Sequence, residues 1–241
     1  MYGEIAKFLQ AESVSWKRTA EATSVEELIE VCGRICYMSF GSNQSPRTTA
    51  EYITNLVVSG HESVLEHASW TFIVLGVSRA FTHQLVRHRV GFSFSQLSQQ
   101  YHDERSARFV IPPELLNSKR AEKIWVKHVE NSLKAYEEIT VALKKNQGSR
   151  KNMSAKEYRR SIRSAARSVL PNATETKVAV TANARALRHF LDVRGSIPGD
   201  IEMRKVAAEL LRIVRADAPA VFADFSIELP KQSLVALGWG D

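Results

Sequence analysis

Apolar side chains recur along this chain at two spacings, and the places where one gives way to the other mark its elements. Ser24-Val-Glu-Glu27 has the pattern of a capping box and opens a helix to about position 36. A turn-rich stretch (SFGSNQSP) follows. A second helix starts near Thr48, buries Ala50, Ile53, Leu56 and Val57, and stops at Gly60. The run WTFIVLGV, rich in β-branched and aromatic residues, predicts a strand over 70–77. A helix over 78–87 leads into the densest polar stretch, and a short strand over 108–111 ends at Pro112-Pro113. A long helix over 121–145 carries Trp125, Val129, Leu133, Tyr136, Thr140 and Leu143 on one face. A basic linker (KKNQGSRKNMS) separates it from a capping box at Ser154–Glu157 and a helix to about 169, which Leu170-Pro171 ends. A strand over 174–182, a helix over 184–193, a Gly/Pro loop (GSIPGD) and a last helix with Met203, Val206, Ala207, Leu210 and Val214 inward complete the pattern. The expected class is α+β, several helices around a small sheet.

Composition narrows the picture modestly. The chain has 241 residues, enough to bury a substantial core; 44% are hydrophobic and 24% charged, as in ordinary globular proteins. No stretch approaches the roughly 20 apolar residues of a membrane span, and the start (MYGEIAKFLQAES) lacks the pattern of a signal peptide, so a cytoplasmic protein with no membrane partner is expected. The net charge of +7 fits nucleic-acid binding, or pockets where arginines converge on phosphorylated small ligands. The arginines cluster inside predicted helices rather than in a tail, which favours pockets. Cys32 and Cys36 lie on one helix face among Leu28, Ile29 and Ile35 and are expected to be buried, reduced thiols. No second Cys/His pair completes a zinc site.

Four clusters carry candidate chemistry. Arg87-His88-Arg89 ends a helix; three consecutive basic side chains cannot all face one way, so at least one points inward or at a ligand. The run GFSFSQLSQQY after it offers many neutral donors and acceptors, suited to reading a polar ring and a phosphate together; a solvated loop after a helix C-terminus fits equally. His61-Glu62 through Glu66-His67 is not a zinc helix: position 65 is Leu and the histidines are six apart. On the helix from Ala184, Leu187, Phe190 and Leu191 form the buried stripe, with Arg185, Arg188, His189 and Asp192 opposite, where an Arg188–Asp192 pair is the simplest outcome. Arg160, Arg163 and Arg167 share a stripe that reads as a solvated basic face or as phosphate capture. No P-loop, nucleophile elbow or GxGxxG after a strand appears.

RHRVGFSFSQLSQQY resembles the signature of flavin-dependent thymidylate synthases. GHESVLEHASWTF, RSVLP and TANARALRHFLDVR are similar to three further segments of that family, in the family's order, over roughly 30–225. The resemblance implies one domain over 1–241 with a small central, mostly antiparallel sheet flanked by helices. It implies a homotetramer with shared active sites, bound FAD, methylene-tetrahydrofolate as carbon donor and NADPH as reductant. Carried across position by position, Ser63, Arg87, His88, Arg89, Gln96, Asn183, Arg185 and His189 contact FAD, with His61 near flavin and folate. Gln84, Arg87, Gln96, Leu97, Ser98, Gln99, Gln100, Arg167 and Arg194 surround the nucleotide, and Arg194 is the activating residue. No metal is implied.

That residue set makes chemical sense. C5 of uracil is a poor nucleophile, and a guanidinium at the pyrimidine edge stabilises negative charge over N3, C4 and O4, raising electron density at C5. Ser98 has no evident base beside it and is assigned to hydrogen bonding. Three departures stand out: eight residues separate Arg89 from Ser98, one more than the commonest family pattern; position 100 is Gln where many members have Arg; and GSIPGDIE differs from the usual run after Arg194. They fall around the nucleotide. The expected reaction is dUMP to dTMP, with C5-methylation of UMP as the sibling reading and a non-catalytic basic nucleic-acid-binding protein as the remote one.

Overall fold

A computed structural model describes residues 2–45, 47–146, 153–228 and 235–238. Pro46 of the turn-rich stretch and positions 147–152 of the basic linker lie outside the described residues. The helices are α1 (Tyr2–Ala11), α2 (Ser24–Tyr37), α3 (Thr49–Val58), α4 (Arg79–Leu85), α5 (Lys119–Lys145), α6 (Ala155–Ala166), α7 (Ala184–Arg194) and α8 (Ile201–Asp217). The strands are β1 (Ser69–Ser78), β2 (Phe92–Gln96), β3 (Arg108–Ile111), β4 (Glu175–Asn183) and β5 (Val235–Gly238).

The main sheet is antiparallel with β4 in the middle, in the order β1-β4-β2. Trp70 and Phe92 both stand opposite Ala182, one on each side. Alternate residues of β4, Thr176, Val178, Val180 and Ala182, face inward, and the last three share one core with Leu187, Phe190 and Leu191 of α7 and Met203, Ala207 and Val214 of α8. Burying each such aliphatic or aromatic side chain contributes about 1.5–3 kcal/mol. A second, two-stranded sheet pairs β3 with β5, and Phe109 of β3 packs with Val129 and Leu133 of α5.

Several expectations change. Ala50, expected inside, is exposed on α3, and Thr49 takes the buried place. The stretch read as polar contains β2: Phe92 and Phe94 alternate with exposed Ser93 and Ser95, and the two rings stack at 5.6 Å. The N-cap of α2 is Thr23 with Glu26, one residue earlier than expected, because Glu27 is engaged elsewhere. Glu27 accepts from Tyr2 Oη (2.6 Å) and from Arg18 (2.7 and 3.0 Å), tying down an N-terminal helix that the pattern did not reveal. The inward face of α2 carries an ion pair, Arg34 to Glu30 at 2.7 Å with both side chains 1% exposed. Thr49 Oγ1 donates to Glu30, and Arg34 lies 4.6 Å over the Tyr52 ring. That network rotates the cysteines outward, so Cys36 is exposed and Cys32 half-buried, not the two buried thiols expected. A further change concerns Arg188 and belongs to the site.

Candidate functional site

The site is organised by α4 and by what leaves its two ends. Ser78 caps the helix through Phe81 N, and Glu202 of α8 accepts from both Ser78 N and Ser78 Oγ at 2.7 Å. Burial pushes the Glu202 carboxyl above its usual range, against the opposing pull of Ser78. At the other end the chain turns through Arg87-His88-Arg89 to Gly91 (φ +72°) and enters β2. A Cβ at Gly91 would stand 2.7 Å from Ala186 Cβ and 2.8 Å from Asn183 Nδ2. Gly91 O accepts from Asn183 N at 3.1 Å, and Asn183 Oδ1 caps α7 through Ala186 N. Only glycine satisfies both the left-handed turn and this approach.

Of the three consecutive basic residues, His88 is the one that turns inward. Its ring packs edge-on to Phe190 at 5.2 Å, 6.0 Å from His189, and its Nε2 accepts from Arg194 Nε at 3.1 Å. Arg194 Nη1 donates to Gln84 Oε1 at 3.1 Å, and Gln84 Nε2 donates to Asp200 Oδ2 at 3.3 Å. Burial, then the Arg194 and His189 charges, hold the His88 imidazole below its ordinary pKa, so it is neutral at pH 7 and able to accept. Arg87 and Arg89 are exposed, and among the described residues their side chains make no hydrogen bond or ion pair.

A second group gathers where β2 runs out. Gln96 Nε2 donates to Thr82 Oγ1 (2.8 Å) and Thr176 Oγ1 (3.3 Å), and Leu97 O accepts from Arg79 Nη1 at 3.4 Å. Ser98 Oγ accepts from Gln100 N at 3.4 Å. Gln99 is 5% exposed and its buried Nε2 has no partner among the described residues. Gln100 Oε1 accepts from Arg160 Nε at 2.9 Å, Gln100 Nε2 donates to Ser164 Oγ, and Tyr101 O accepts from Arg163 at 2.6 Å. Arg160, which is exposed, and Arg163, which is half-buried, thus reach the polar stretch from a face that stays open to solvent. Half-buried Arg167 sits close enough to Arg79 to lower its pKa further, after burial as the main cause, two cations facing one another with Glu104 opposing the effect.

The third group lies on the 3-10 turn Glu62–His67. His61 and Ser63 are exposed, and Glu66 and Glu62 engage Arg185 at 2.7 and 3.7 Å, with His189 one turn further along α7. Arg188 does not pair with Asp192. It is buried and pairs with Asp224, 36 residues away, a partner that neighbouring positions could not reveal. Spacing also missed Asp200, whose carboxylate both caps α8 and receives Gln84. Asp before an apolar run was its available signal.

The comparisons with known proteins bear on this arrangement. The thymidylate synthase complementing protein family matches residues 19–220. The chain belongs to the flavin-dependent thymidylate synthase family. It is 44% identical over 225 residues to the flavin-dependent thymidylate synthase of Mycobacterium leprae (strain Br4923), covering 92% of this chain and 87% of the relative. It is 42% identical over 222 residues to that of Mycobacterium marinum, with the same coverage. The Mycobacterium tuberculosis (strain H37Ra) protein of that name is 42% identical over 221 residues, 91% of this chain and 86% of the relative. Family membership makes this chain an enzyme. Among the described residues no helix is long and apolar enough to cross a membrane, and no group of three or more His, Cys, Asp or Glu is placed to hold a metal ion.

Proposed function

We propose that this chain is an FAD-dependent enzyme that methylates C5 of dUMP, taking the carbon from methylene-tetrahydrofolate and reducing equivalents from NADPH. The observation that carries the reading is the anchoring of Arg194. Its guanidinium is held at the end of α7 by a neutral imidazole and a carboxamide, and among the described residues no carboxylate pairs with it. A cation kept unpaired in that way suits charge that develops on a neutral pyrimidine ring.

The residues fit a flavin dinucleotide by their donor chemistry. Arg87 and Arg89 are exposed on the turn that leads to Gly91, their side chains without partners among the described residues, and Gly91 packs on the N-terminus of α7, an arrangement suited to a pyrophosphate. Ser63, Asn183, Arg185 and His189 flank it, with His61 beside Ser63. Bound there, a flavin supplies the hydride that completes the methyl group. Gln96 is oriented by Thr82 and Thr176, so its carbonyl oxygen is left for a ring N–H. Arg167, with Gln84, Arg87 and the stretch from Leu97 to Gln100, forms the nucleotide's polar surround. Gln100 is neutral but brings Arg160 with it.

The test is to purify the protein, look for bound flavin, and follow NADPH oxidation with methylene-tetrahydrofolate on adding dUMP or UMP, identifying products by mass. Oxidation coupled to dTMP formation with UMP inert is expected. Preferred turnover of UMP to its 5-methyl product would replace the substrate and keep the chemistry. A protein inert with both after FAD is added would sink the reading.

A further inference from the structure

The segment that follows α8 returns along α7, towards the helix end that carries Arg194. Arg188 makes a fork-to-fork pair with Asp224, each bond 2.7 Å, and its Nη1 also donates to Val221 O at 2.5 Å. This guanidinium is 9% exposed at the side chain, its Nε has no partner among the described residues, and it lies 4.9 Å over the Phe225 ring. From α8, Arg215 donates to the carbonyls of Phe222 and Phe225. Three residues beyond Asp224, Ile227 occupies the space that a Cβ on Gly195 would need. Gly195 directly follows Arg194.

The lengths agree. From 188 to 195 a helix rises about 10.5 Å at 1.5 Å per residue, and from 224 to 227 an extended chain covers about 10 Å. Residues 224–227 therefore run parallel to the last two turns of α7, fastened at one end by an ion pair and at the other by packing on glycine. Burying a guanidinium this deeply is costly unless it is well paired, and an interior leucine would fill the same face of α7 at lower cost.

We propose that Arg188 and Asp224 are positioning residues: they pin the segment 221–227 along α7 as a splint, which holds the helix end and keeps Arg194 on His88 and Gln84. The link to catalysis rests on the reading of Arg194 given above; the splint itself does not.

The discriminating measurement is the titration of His88 by NMR, in whole protein labelled at histidine Cε1, for wild type, R194A, D224N and I227A. The charged groups that bear on His88 are Arg194 and His189, both of which lower its pKa alongside burial. R194A sets the size of the upward shift when the guanidinium leaves. D224N removes a carboxylate and leaves Arg188 unpaired, and both direct effects push His88 down. An upward shift in D224N therefore reports displacement of Arg194 rather than altered charge. Asp224 is 55% exposed at its side chain, so D224N is expected to fold; I227A loosens the other end without changing any charge. Both variants are expected to raise the His88 midpoint by at least about a third of the R194A shift, and to lower kcat about tenfold at unchanged nucleotide KM. His88 moving in R194A but staying put in D224N and I227A would overturn the splint, whatever the rates. A midpoint that R194A also leaves unmoved would overturn it too. Shifts as expected in a protein that methylates no pyrimidine nucleotide would refute the activity and leave the splint standing.

Discussion

At the scale of single residues the pivotal contact is Arg194 Nε to His88 Nε2, because it joins a permanent cation to a group that titrates. With His88 neutral, the imidazole accepts and Arg194 is held. With His88 protonated, the acceptor is gone and two cations face each other. Since burial, Arg194 and His189 all depress the folded-state pKa, the stability this site contributes is present above the ordinary imidazole value of about 6.5 and lost as pH falls through the lower folded value. The expected pH–rate profile has an acid limb with its midpoint below 6.5, and H88N, which keeps an acceptor that does not titrate, flattens that limb. R194A should lower kcat by about 10²–10³ while flavin absorbance is retained, the loss typical of one donor aimed at developing charge. R194K should recover little, since an ammonium lacks the fork that reaches both His88 and Gln84. The motif made His88, Arg87 and Arg89 visible in the sequence, but not which one turns inward. That depended on Phe190 and on the end of α7, about a hundred residues away.

At the scale of elements the sequence was most legible where period and caps agreed. The helices α3, α5, α6 and α7 and the strands β1, β3 and β4 stand within a few residues of their expected bounds, and α8 carries the inward residues expected of the last helix. It was least legible where a tertiary partner chose between two local solutions. SVEE reads as the capping box, but the box forms one residue earlier at TSVE, because Tyr2 and Arg18 take Glu27. In β2 the alternation Phe-Ser-Phe-Ser was present but outweighed by the density of polar residues around it. Two junctions then fix α4 to its neighbours. G91A forces a left-handed φ on alanine and drives its Cβ into Asn183 and Ala186, so a loss of about 1–3 kcal/mol is expected in urea unfolding. The same change should weaken flavin retention by shifting the Arg87 to Arg89 turn. E202A strips Ser78 N and Oγ of their acceptor at the start of α4 and is expected to cost about 1–3 kcal/mol. E202Q keeps one acceptor and should cost less.

At the scale of the whole molecule the candidate residues do not form one cluster on one chain. Gln84 and Arg194 meet at the C-terminal end of α4, whereas Arg79, Leu97 and Arg167 gather at its N-terminal end. A seven-residue helix, about 10 Å long, stands between them. We propose that a nucleotide takes one of these groups from each of two copies, the shared site that the family resemblance implies. The exposed flank of β1 is a surface on which copies could meet, with Ile73 75% and Leu75 60% exposed above an apolar groove of about 540 Å³ shared with α8. For the homotetramer that the family resemblance implies, the mass expected in sedimentation is four times that of the 241-residue chain. Complementation tests the stronger point. R194A and R167A should each be nearly inactive alone. If every site takes Arg194 from one subunit and Arg167 from another, subunits unfolded together and reassembled at equal amounts place both intact arginines in about a quarter of the sites, and about a quarter of wild-type activity returns. If one chain supplies both, each site carries one lesion or the other however the chains are mixed, and nothing returns. The two arrangements therefore differ by the presence or absence of activity in a single tube.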